Sequence, residues 1–388
     1  MIRMHSAISR EDRACLLLAL GRLSSSENEE VNSLLSTPLQ WEKILERSLQ
    51  HEVYPLVVRN LKACGFPGVP GQVRSRLQTL FQMNALRNDL LAEELAVVLR
   101  ILHEAGIPVI PLKGIPLAES LYGDKSLRVC SDIDVLVPRQ NVEQSFNLLV
   151  ASGYRADFPR WVLRESMMRN SIECALRRKE QAMEFLLELH WSLLLEASNS
   201  EGSMQTSWVE SHPDVFRGVP MYVLSPESEL LFLMVHAARH QWQGLKWLVD
   251  IHQICVTQGL NWKMVVEKAS KLGLERLVQW GLSVCNAVLD TPLPKDLPCE
   301  LPQPHPRLFP APPAALNSWQ NYLHVLRLAR RPSEKFRPLA RRLFVPTLAE
   351  YSLWPLPASL AILYYPIRLL RITYLMGRAI MNNAFSGH

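Results

Sequence analysis

Two aspartates separated by one residue are the side chains of this sequence best suited to chemistry. Asp132 and Asp134 alternate with Ile133, Val135 and Val137. The alternation predicts a β-strand, on which residues i and i+2 share a face. Two carboxylates on one face repel each other, so a cation is expected beside them. Mg²⁺ or Mn²⁺ suits oxygen ligands, and a pair of such ions suits in-line displacement at phosphorus. The alternative is a solvated strand edge carrying two surface acids.

A Lys-Gly pair lies upstream of the aspartates. Lys113 and Gly114 follow a predicted strand at 107–112 and precede a short predicted helix at 116–122. Backbone N–H groups at such a helix start face an anion, and the lysine adds a positive charge beside them. Arg128, four residues before Asp132, could contact a phosphate or pair with carboxylates. An ordinary turn with salt bridges is the alternative for all three residues.

A further acid lies on a predicted strand at 183–193. Apolar side chains at 185, 187, 189 and 191 form one face, and Glu184, Leu186, Glu188 and His190 form the other. Glu188 is our candidate for a third functional carboxylate. Glu173, on a predicted strand at 171–177, is the competing candidate.

Two histidines lie at helical spacing further along the chain. His236 and His240 are four residues apart, so one helix face carries both. Such spacing can bind zinc, but a third ligand is not evident, and pairing with Asp250 or the backbone is favoured. A substrate-facing role for His236, His240, Asp250 and also His190 is the sharper hypothesis. The nearby tryptophans are interpreted as helix-packing anchors rather than as a platform for a base.

The elements that position these residues combine helices and strands. Residues 1–105 are predicted to be helical, and further helices are predicted at 142–151, 226–240, 245–256, 262–271 and 277–289. Nine prolines between 292 and 313 indicate a linker. The tail from 314 is predicted to be helical and interrupted by prolines.

Composition excludes several classes of protein. The 388 residues are 48% hydrophobic and 20% charged, with a net charge of +5, so disorder and a polycationic nucleic-acid binder are both excluded. Seven scattered cysteines without a CxxC pair favour a reducing, cytoplasmic location. Residues 301–388 carry 11 Lys+Arg against two acids, which indicates either a solvated face or a site for an anionic partner or a membrane surface. The charge-free stretch 351–367 contains three prolines and is interpreted as a packing segment.

The motifs together resemble a known family. Leu112-Lys113-Gly114, Tyr122, Arg128 and the run 132–137 resemble the uncharacterised bacterial nucleotidyltransferase family of the DNA polymerase β-like superfamily. Downstream, the resemblance continues through Gly153-Tyr154, the strand 188–191 and the helical segment 236–250, and it covers most of the chain. One departure from the wider superfamily is the Lys-Gly pair in place of Gly-Ser, which removes a serine that would contact a phosphate.

The resemblance implies an α+β fold, with a polymerase β-like palm built on a mixed sheet and flanked by helical regions. We expect an N-terminal helical region at 1–84, the palm at 85–200, a helical domain at 201–291, a linker at 292–313 and a basic tail at 314–388. Asp132, Asp134 and Glu188 would hold Mg²⁺ or Mn²⁺, and Lys113, Gly114 and Arg128 would bind the nucleotide.

The implied reaction transfers a nucleoside monophosphate from an NTP to a hydroxyl of a small molecule, peptide or protein. Two rival interpretations stay open: a non-catalytic palm that serves as a binding or assembly module, and an accessory factor that contacts a membrane peripherally through its tail.

Overall fold

A four-stranded mixed sheet is at the centre of the computed structural model, which describes residues 8–168, 171–180, 183–193, 208, 210–294 and 343–385. Its strands are β1 (Ile110–Pro111), β2 (Ile133–Leu136), β3 (Glu173–Glu180) and β4 (Met183–His190), in the order β1-β2-β4-β3. β2 pairs antiparallel with β1 and parallel with β4, and β4 pairs antiparallel with β3. The predicted α+β class with a mixed sheet is confirmed.

Helices surround this sheet. Those of the described residues are α1 (Arg10–Leu18), α2 (Ser25–Leu35), α3 (Trp41–Gln50), α4 (Tyr54–Ala63), α5 (Gly71–Glu104), α6 (Ile115–Tyr122), α7 (Val142–Ala151), α8 (Arg160–Val162), α9 (Pro226–Arg239), α10 (Leu245–Thr257), α11 (Trp262–Leu272), α12 (Glu275–Leu289), α13 (Leu348–Leu353) and α14 (Tyr364–Phe385). Short non-α helical turns lie at Lys125–Leu127, Arg139–Asn141, Leu163–Met167 and Ala358–Leu363.

The buried apolar residues form two clusters. One joins α1–α4 to α9–α12, so the N-terminal helices and the helices after the palm share a core. The other joins one face of the sheet to α5, α7 and the C-terminal segment. Phe185, Leu187, Leu189 and Trp191 are all buried there, as the alternation in β4 predicted. The position between residues 84 and 85, where we expected the palm to begin, falls within α5, so one helix serves both regions.

α5 fixes the loop that leads into the aspartate strand. Asn84 Nδ2 donates to the carbonyl of Ser126 at 2.8 Å, and Asn88 Nδ2 donates to the carbonyls of Lys125 and Arg128 at 2.6 and 2.8 Å. Both asparagines are buried. Buried polar side chains are tolerated when they are hydrogen-bonded. Here the two asparagines donate to loop carbonyls that accept no hydrogen bond within a helix or the sheet.

A β-hairpin lies within 201–291, a region expected to be helical. β5 (His212–Phe216) pairs with β6 (Val219–Val223), and the turn residues Arg217 and Gly218 both have positive φ, as two-residue hairpin turns require. The amide of Tyr222 donates to the carbonyl of Val109 at 2.8 Å, which joins the hairpin to the chain entering β1. Pro213 and Pro220 obscured the strand pattern, because proline is tolerated only on strand edges.

The C-terminal segment packs against the palm. Tyr351 and Tyr364 are buried and contact the ring of Trp161. Glu350 is buried and binds Arg368 and Arg371 at 2.9 and 2.7 Å. The basic run Arg327–Arg342 and most of the proline-rich linker lie outside the described residues. Among the helices of the described ranges, none combines the length and apolarity needed to cross a bilayer.

We expect the hydrogen bonds of Asn84 and Asn88 to contribute measurably to the stability of the fold. Asn88→Ala leaves the carbonyl of Lys125 without its donor and removes the shorter of the two amide hydrogen bonds to the carbonyl of Arg128, and we expect the free energy of unfolding to fall by about 1–3 kcal/mol in urea titrations. Met83→Ala is the matched control, since Met83 is exposed on the same helix and its loss should change stability by about 0.5 kcal/mol or less. Equal effects of the two substitutions would show that the asparagine contacts do not support the loop.

Candidate functional site

The backbone conformation of the Lys113–Gly114 turn requires a glycine at position 114. Gly114 has φ +76° and precedes the first residue of α6, and a Cβ there would lie 3.6 Å from the carbonyl oxygen of Asp132. Only glycine adopts that backbone conformation without strain. The turn therefore places Lys113 and the start of α6 beside the aspartate strand.

Lys113 contacts both aspartates. Its Nζ lies 3.2 Å from Oδ2 of Asp132 and 3.2 Å from Oδ2 of Asp134. Asp134 lies within β2 and its side chain is fully buried, whereas Asp132 just precedes the strand and is partly exposed. The two carboxylates share one face and a single ammonium group lies between them.

Glu188 lies on the same side of the sheet. The parallel register pairs Asp134 with Glu188 and Leu136 with His190. His190 Nε2 lies 3.1 Å from Oδ1 of Asp134 and 3.5 Å from Oε2 of Glu188. One donor atom each from Asp134, Glu188 and His190 fall within 4.8 Å of one another, and these three residues form a potential metal-binding group in the described part of the chain. His190 is thus central to the site, where we expected only a substrate-facing side chain.

Glu173 lies behind His190 rather than beside the aspartates. It begins β3, directly opposite His190 in the antiparallel register. Its Oε2 lies 3.1 Å from Nδ1 of His190, and its Oε1 accepts a hydrogen bond from Arg239 at 3.2 Å. Glu173 therefore supports the imidazole and links α9 to the sheet, and Glu188 is the acid next to Asp134.

Arg128 and Asp250 form a salt bridge with each other. We expected Arg128 to bind the nucleotide and Asp250 to face the substrate. Arg128 is buried, and its Nε donates to Oδ2 of Asp250 at 3.0 Å. Tyr122 donates its hydroxyl hydrogen to Oδ1 of the same aspartate at 2.7 Å. A buried guanidinium held by a buried carboxylate is not presented to a phosphate, so this pair joins α6, the loop and α10 instead.

His236 and His240 flank the site without forming a metal group in the described ranges. Their ring centroids are 4.9 Å apart, and Trp247 of α10 stacks on His240 at 4.3 Å. Burial lowers the pKa of both histidines, and the positive charge of Lys113 lowers it further. Lys113 is thus near enough to act on both rings. The sequence analysis interpreted Trp247 as a helix-packing anchor, and its contact with His240 depends on how two helices pack.

Comparison with known proteins identifies the family. A model of an uncharacterised nucleotidyltransferase family matches residues 37–290, well over half of the chain, and this stretch contains all the residues described above. The chain belongs to this nucleotidyltransferase family. The resemblance noted in the sequence is confirmed.

Two further comparisons carry no argument about the function of this chain. A crystal structure of an antigenic nucleotidyltransferase-like protein from Paracoccidioides brasiliensis is 18% identical in sequence, and the alignment covers 53% of this chain and 94% of that one. Its TM-score of 0.33 is too low to support an argument. No curated protein matches the chain at a significant level.

Asp134 and Glu188 differ in pKa because burial and the neighbouring groups act on them unequally. Burial raises the pKa of Asp134 to about 6, against the opposing effect of Lys113. Burial acts in the same direction on Glu188, but hydrogen bonding to His190 and Asp134 and the charge of Lys113 bring its pKa down to about 2. Burial would lower the pKa of His190, yet the surrounding carboxylates raise it to about 9. Lys113 and His190 are therefore both cationic at neutral pH and balance the acids.

Because the ammonium of Lys113 offsets the negative charge of the aspartates, we expect Lys113 to stabilise the protein in the absence of a metal ion. Lys113→Met leaves Asp132 and Asp134 without their ammonium, and we expect the free energy of unfolding to fall by about 3–5 kcal/mol, the scale of a broken buried ion pair. Addition of Mn²⁺ should restore part of it, because the ion replaces the missing charge. Thermal and urea unfolding with and without Mn²⁺ measure both effects.

Lys125→Met is the control for that substitution. Lys125 pairs with Asp89 at 3.0 Å on the surface, where such pairs contribute about 1 kcal/mol or less. If Lys113→Met costs no more than Lys125→Met, the ammonium does not balance the aspartates.

Proposed function

We propose that the protein catalyses metal-dependent transfer of a nucleoside monophosphate from an NTP to a hydroxyl group of an acceptor. The observation that carries the proposal is the convergence of Asp134, Glu188 and His190 on one point beside the Lys113–Gly114 turn. Membership of a nucleotidyltransferase family agrees with this reaction class.

The residues present fit a divalent metal ion. Oδ2 of Asp134 is buried and accepts no hydrogen bond, although Nζ of Lys113 is 3.2 Å away. A buried carboxylate oxygen without a hydrogen-bond donor is costly, and a cation relieves that cost. Asp134, Glu188 and His190 would hold the ion once His190 releases a proton, because only a neutral imidazole is a metal ligand, and Asp132 would join them once Lys113 moves away. An imidazole among the donors favours Mn²⁺ over Mg²⁺, which prefers an all-oxygen environment.

Glu173 supports the assignment of His190 as a ligand. A metal-binding histidine usually directs its second ring nitrogen at a carboxylate, which fixes the orientation of the ring. Nδ1 of His190 lies 3.1 Å from Oε2 of Glu173 without the alignment of a hydrogen bond, while Nε2 lies near Asp134 and Glu188. A bound ion would neutralise charge that develops on the phosphate during transfer.

Lys113 and the start of α6 are suited to the triphosphate. Backbone N–H groups at a helix N-terminus attract phosphate oxygens, and Gly114 leaves the approach open. An ammonium displaced from the aspartates would remain close enough to pair with the β- and γ-phosphates. Binding of the metal and binding of the triphosphate would therefore support each other.

The reaction then proceeds by in-line displacement. The acceptor hydroxyl oxygen forms a bond to the α-phosphorus, and the bond from that phosphorus to the pyrophosphate oxygen breaks. Glu188, more exposed than Asp134, is placed to accept the hydroxyl proton. Pyrophosphate leaves with the negative charge that Lys113 offsets. A small molecule, a peptide or a protein serves as the acceptor by analogy with the family.

One observation favours a second candidate, a non-catalytic palm that binds or assembles. Nζ of Lys113 lies 3.2 Å from a carboxylate oxygen of each aspartate, so an ammonium group offsets part of their charge without a metal. Calorimetric titration with ATP in Mn²⁺, Mg²⁺ and EDTA separates the candidates. The catalytic proposal expects binding that depends on the metal, whereas binding that EDTA leaves unchanged would favour the non-catalytic palm.

Glu188→Gln tests the assigned chemistry. It preserves the shape of the side chain and removes its charge, so we expect pyrophosphate release from ATP to fall by at least ~10²-fold, with a much smaller change in ATP affinity. Glu184→Gln is the matched control, because Glu184 lies on the same face of β4 but is exposed and pairs only with Arg177 among the described contacts. A similar rate in both variants would contradict the role of Glu188.

A further inference from the structure

The turn between α9 and α10 contacts residues next to the site at both of its ends. Arg239, at the end of α9, donates to Glu173 at 3.2 Å, and Glu173 supports His190. Lys246, in the first turn of α10, donates to the carbonyl of Val129 at 3.3 Å, three residues before Asp132. The side chains of this turn therefore lie beside the carboxylates.

Three rings gather on that turn. The rings of His240 and Trp247 stack with centroids 4.3 Å apart and an interplanar angle of 25°. His236 meets the Trp247 ring edge-on at 5.6 Å. His240 keeps an exposed surface although neighbouring side chains partly desolvate its ring, and His236 and Trp247 are half-buried. The stack thus ends in an aromatic surface open to solvent at the edge of the candidate active site.

The backbone of the turn between α9 and α10 favours this stacked arrangement. A Cβ at Gly244 would lie 2.4 Å from Cε3 of Trp247, so only glycine lets the ring lie there. Gln241 and Trp242 are consecutive residues with positive φ, a conformation that costs free energy and is concentrated at functional sites. The buried ring of Trp242 packs against Gly281, and this contact anchors the turn.

The two tryptophans of this turn differ in what they do. Trp242 is a packing anchor, as the sequence led us to expect of both. Trp247 instead supports His240, whose pKa burial and the nearby charges of Arg239 and Lys113 lower to about 4. A neutral imidazole does not attract phosphate, but it stacks well against a flat, neutral ring.

We propose that His240, backed by Trp247, is the stacking platform for the nucleobase of the NTP whose triphosphate the Lys113–Gly114 turn holds. The inference rests on the proposed function. It extends that function by dividing the nucleotide between two surfaces: the phosphates lie at the start of α6 and the base lies on the turn between α9 and α10. Stacking does not depend on which base is presented, so the platform predicts tolerance among NTPs.

Two ligands separate the base from the phosphates. Calorimetry in Mn²⁺ compares ATP with inorganic tripolyphosphate, which carries no base. We expect His240→Ala and Trp247→Leu each to weaken ATP binding about tenfold and to leave tripolyphosphate binding unchanged. His240→Phe should retain near wild-type ATP affinity, because it keeps a flat ring. His103→Ala, an exposed histidine on α5, is the control and should change neither ligand.

The outcomes are distinguishable. Unchanged ATP affinity in both platform variants would overturn the platform, and so would an equal loss of ATP and tripolyphosphate binding. Failure of His240→Phe to restore binding would show that the imidazole acts by other means than stacking. If wild-type protein binds neither ligand in Mn²⁺, the proposed function itself is wrong. Thermal unfolding of each variant shows that it is folded.

A separate observation concerns the C-terminal segment. One side of it packs on the palm through Tyr351 and Tyr364, while the other exposes large apolar side chains over a short length of chain. Ile362 and Leu370 are 72% and 69% exposed. The exposed set is Leu353, Trp354, Leu360, Ile362, Leu363, Tyr365, Leu369, Leu370, Tyr374 and Leu375. We call this set the tail face.

The surrounding charge indicates what the tail face meets. The described residues 343–385 carry three arginines against one acid, Glu350, a net charge of +2. Arg368 and Arg371 bind Glu350, and Arg378 is exposed. Apolar and aromatic side chains in a basic segment are typical of helices that lie in a membrane interface. We infer that the tail face docks on an anionic lipid bilayer.

Cosedimentation of the full chain with vesicles tests the docking. We expect binding to phosphatidylglycerol vesicles that high salt weakens, little binding to phosphatidylcholine vesicles, and at least a tenfold loss when Ile362→Glu is combined with Leu370→Glu. Met83→Glu with Leu86→Glu, equally exposed on α5, should bind as wild type does. Equal binding of the tail variant, or none by wild type, would overturn the proposal. So would a dimer that the tail substitutions dissociate, since a second copy would then cover the face.

Discussion

The parallel pairing of β2 with β4 brings negative charges together, and the rest of the site follows from how they are balanced. The register sets Asp134 directly beside Glu188, with Asp132 and Glu173 nearby. Carboxylates in a buried setting are tolerated only when cations or hydrogen-bond donors accompany them. Lys113 from the turn before α6 and His190 from β4 supply those cations, and α5 fixes the loop that delivers the aspartates.

This balance connects the stability of the fold with the proposed chemistry. The same carboxylates that bind Lys113 in the metal-free protein would bind a divalent ion during the reaction. The divalent ion would replace the ammonium of Lys113 and the proton of His190 together, so the acids stay neutralised and the site does not have to pass through a state of unpaired buried charge. The released ammonium then has a natural partner in the triphosphate, which arrives with its own negative charge.

The sequence predicted the local parts of this arrangement well. The helix at 142–151 and the start of the strand at 183 coincide with α7 and β4, because hydrophobic periodicity is a local signal. It also predicted that Glu188 and His190 share a face. The partners of Arg128 could not be read in this way, since Asp250 is 122 residues away and the pair depends on the packing of α10 against α6. The hairpin at 212–223 was missed because two prolines lie within its strands, and the stacking of Trp247 on His240 depends on a turn with unusual backbone angles.

We propose that Lys113 occupies the place of a metal ion and leaves it when the nucleotide binds. A crystal structure with Mn²⁺ and a non-hydrolysable ATP analogue, with data collected at the manganese absorption edge, tests this exchange. We expect an anomalous peak bound by Asp134, Glu188 and His190, with Nζ of Lys113 moved from the aspartates to the phosphates. A nucleotide bound while Lys113 remains between Asp132 and Asp134, with no manganese peak among the carboxylates, would contradict it.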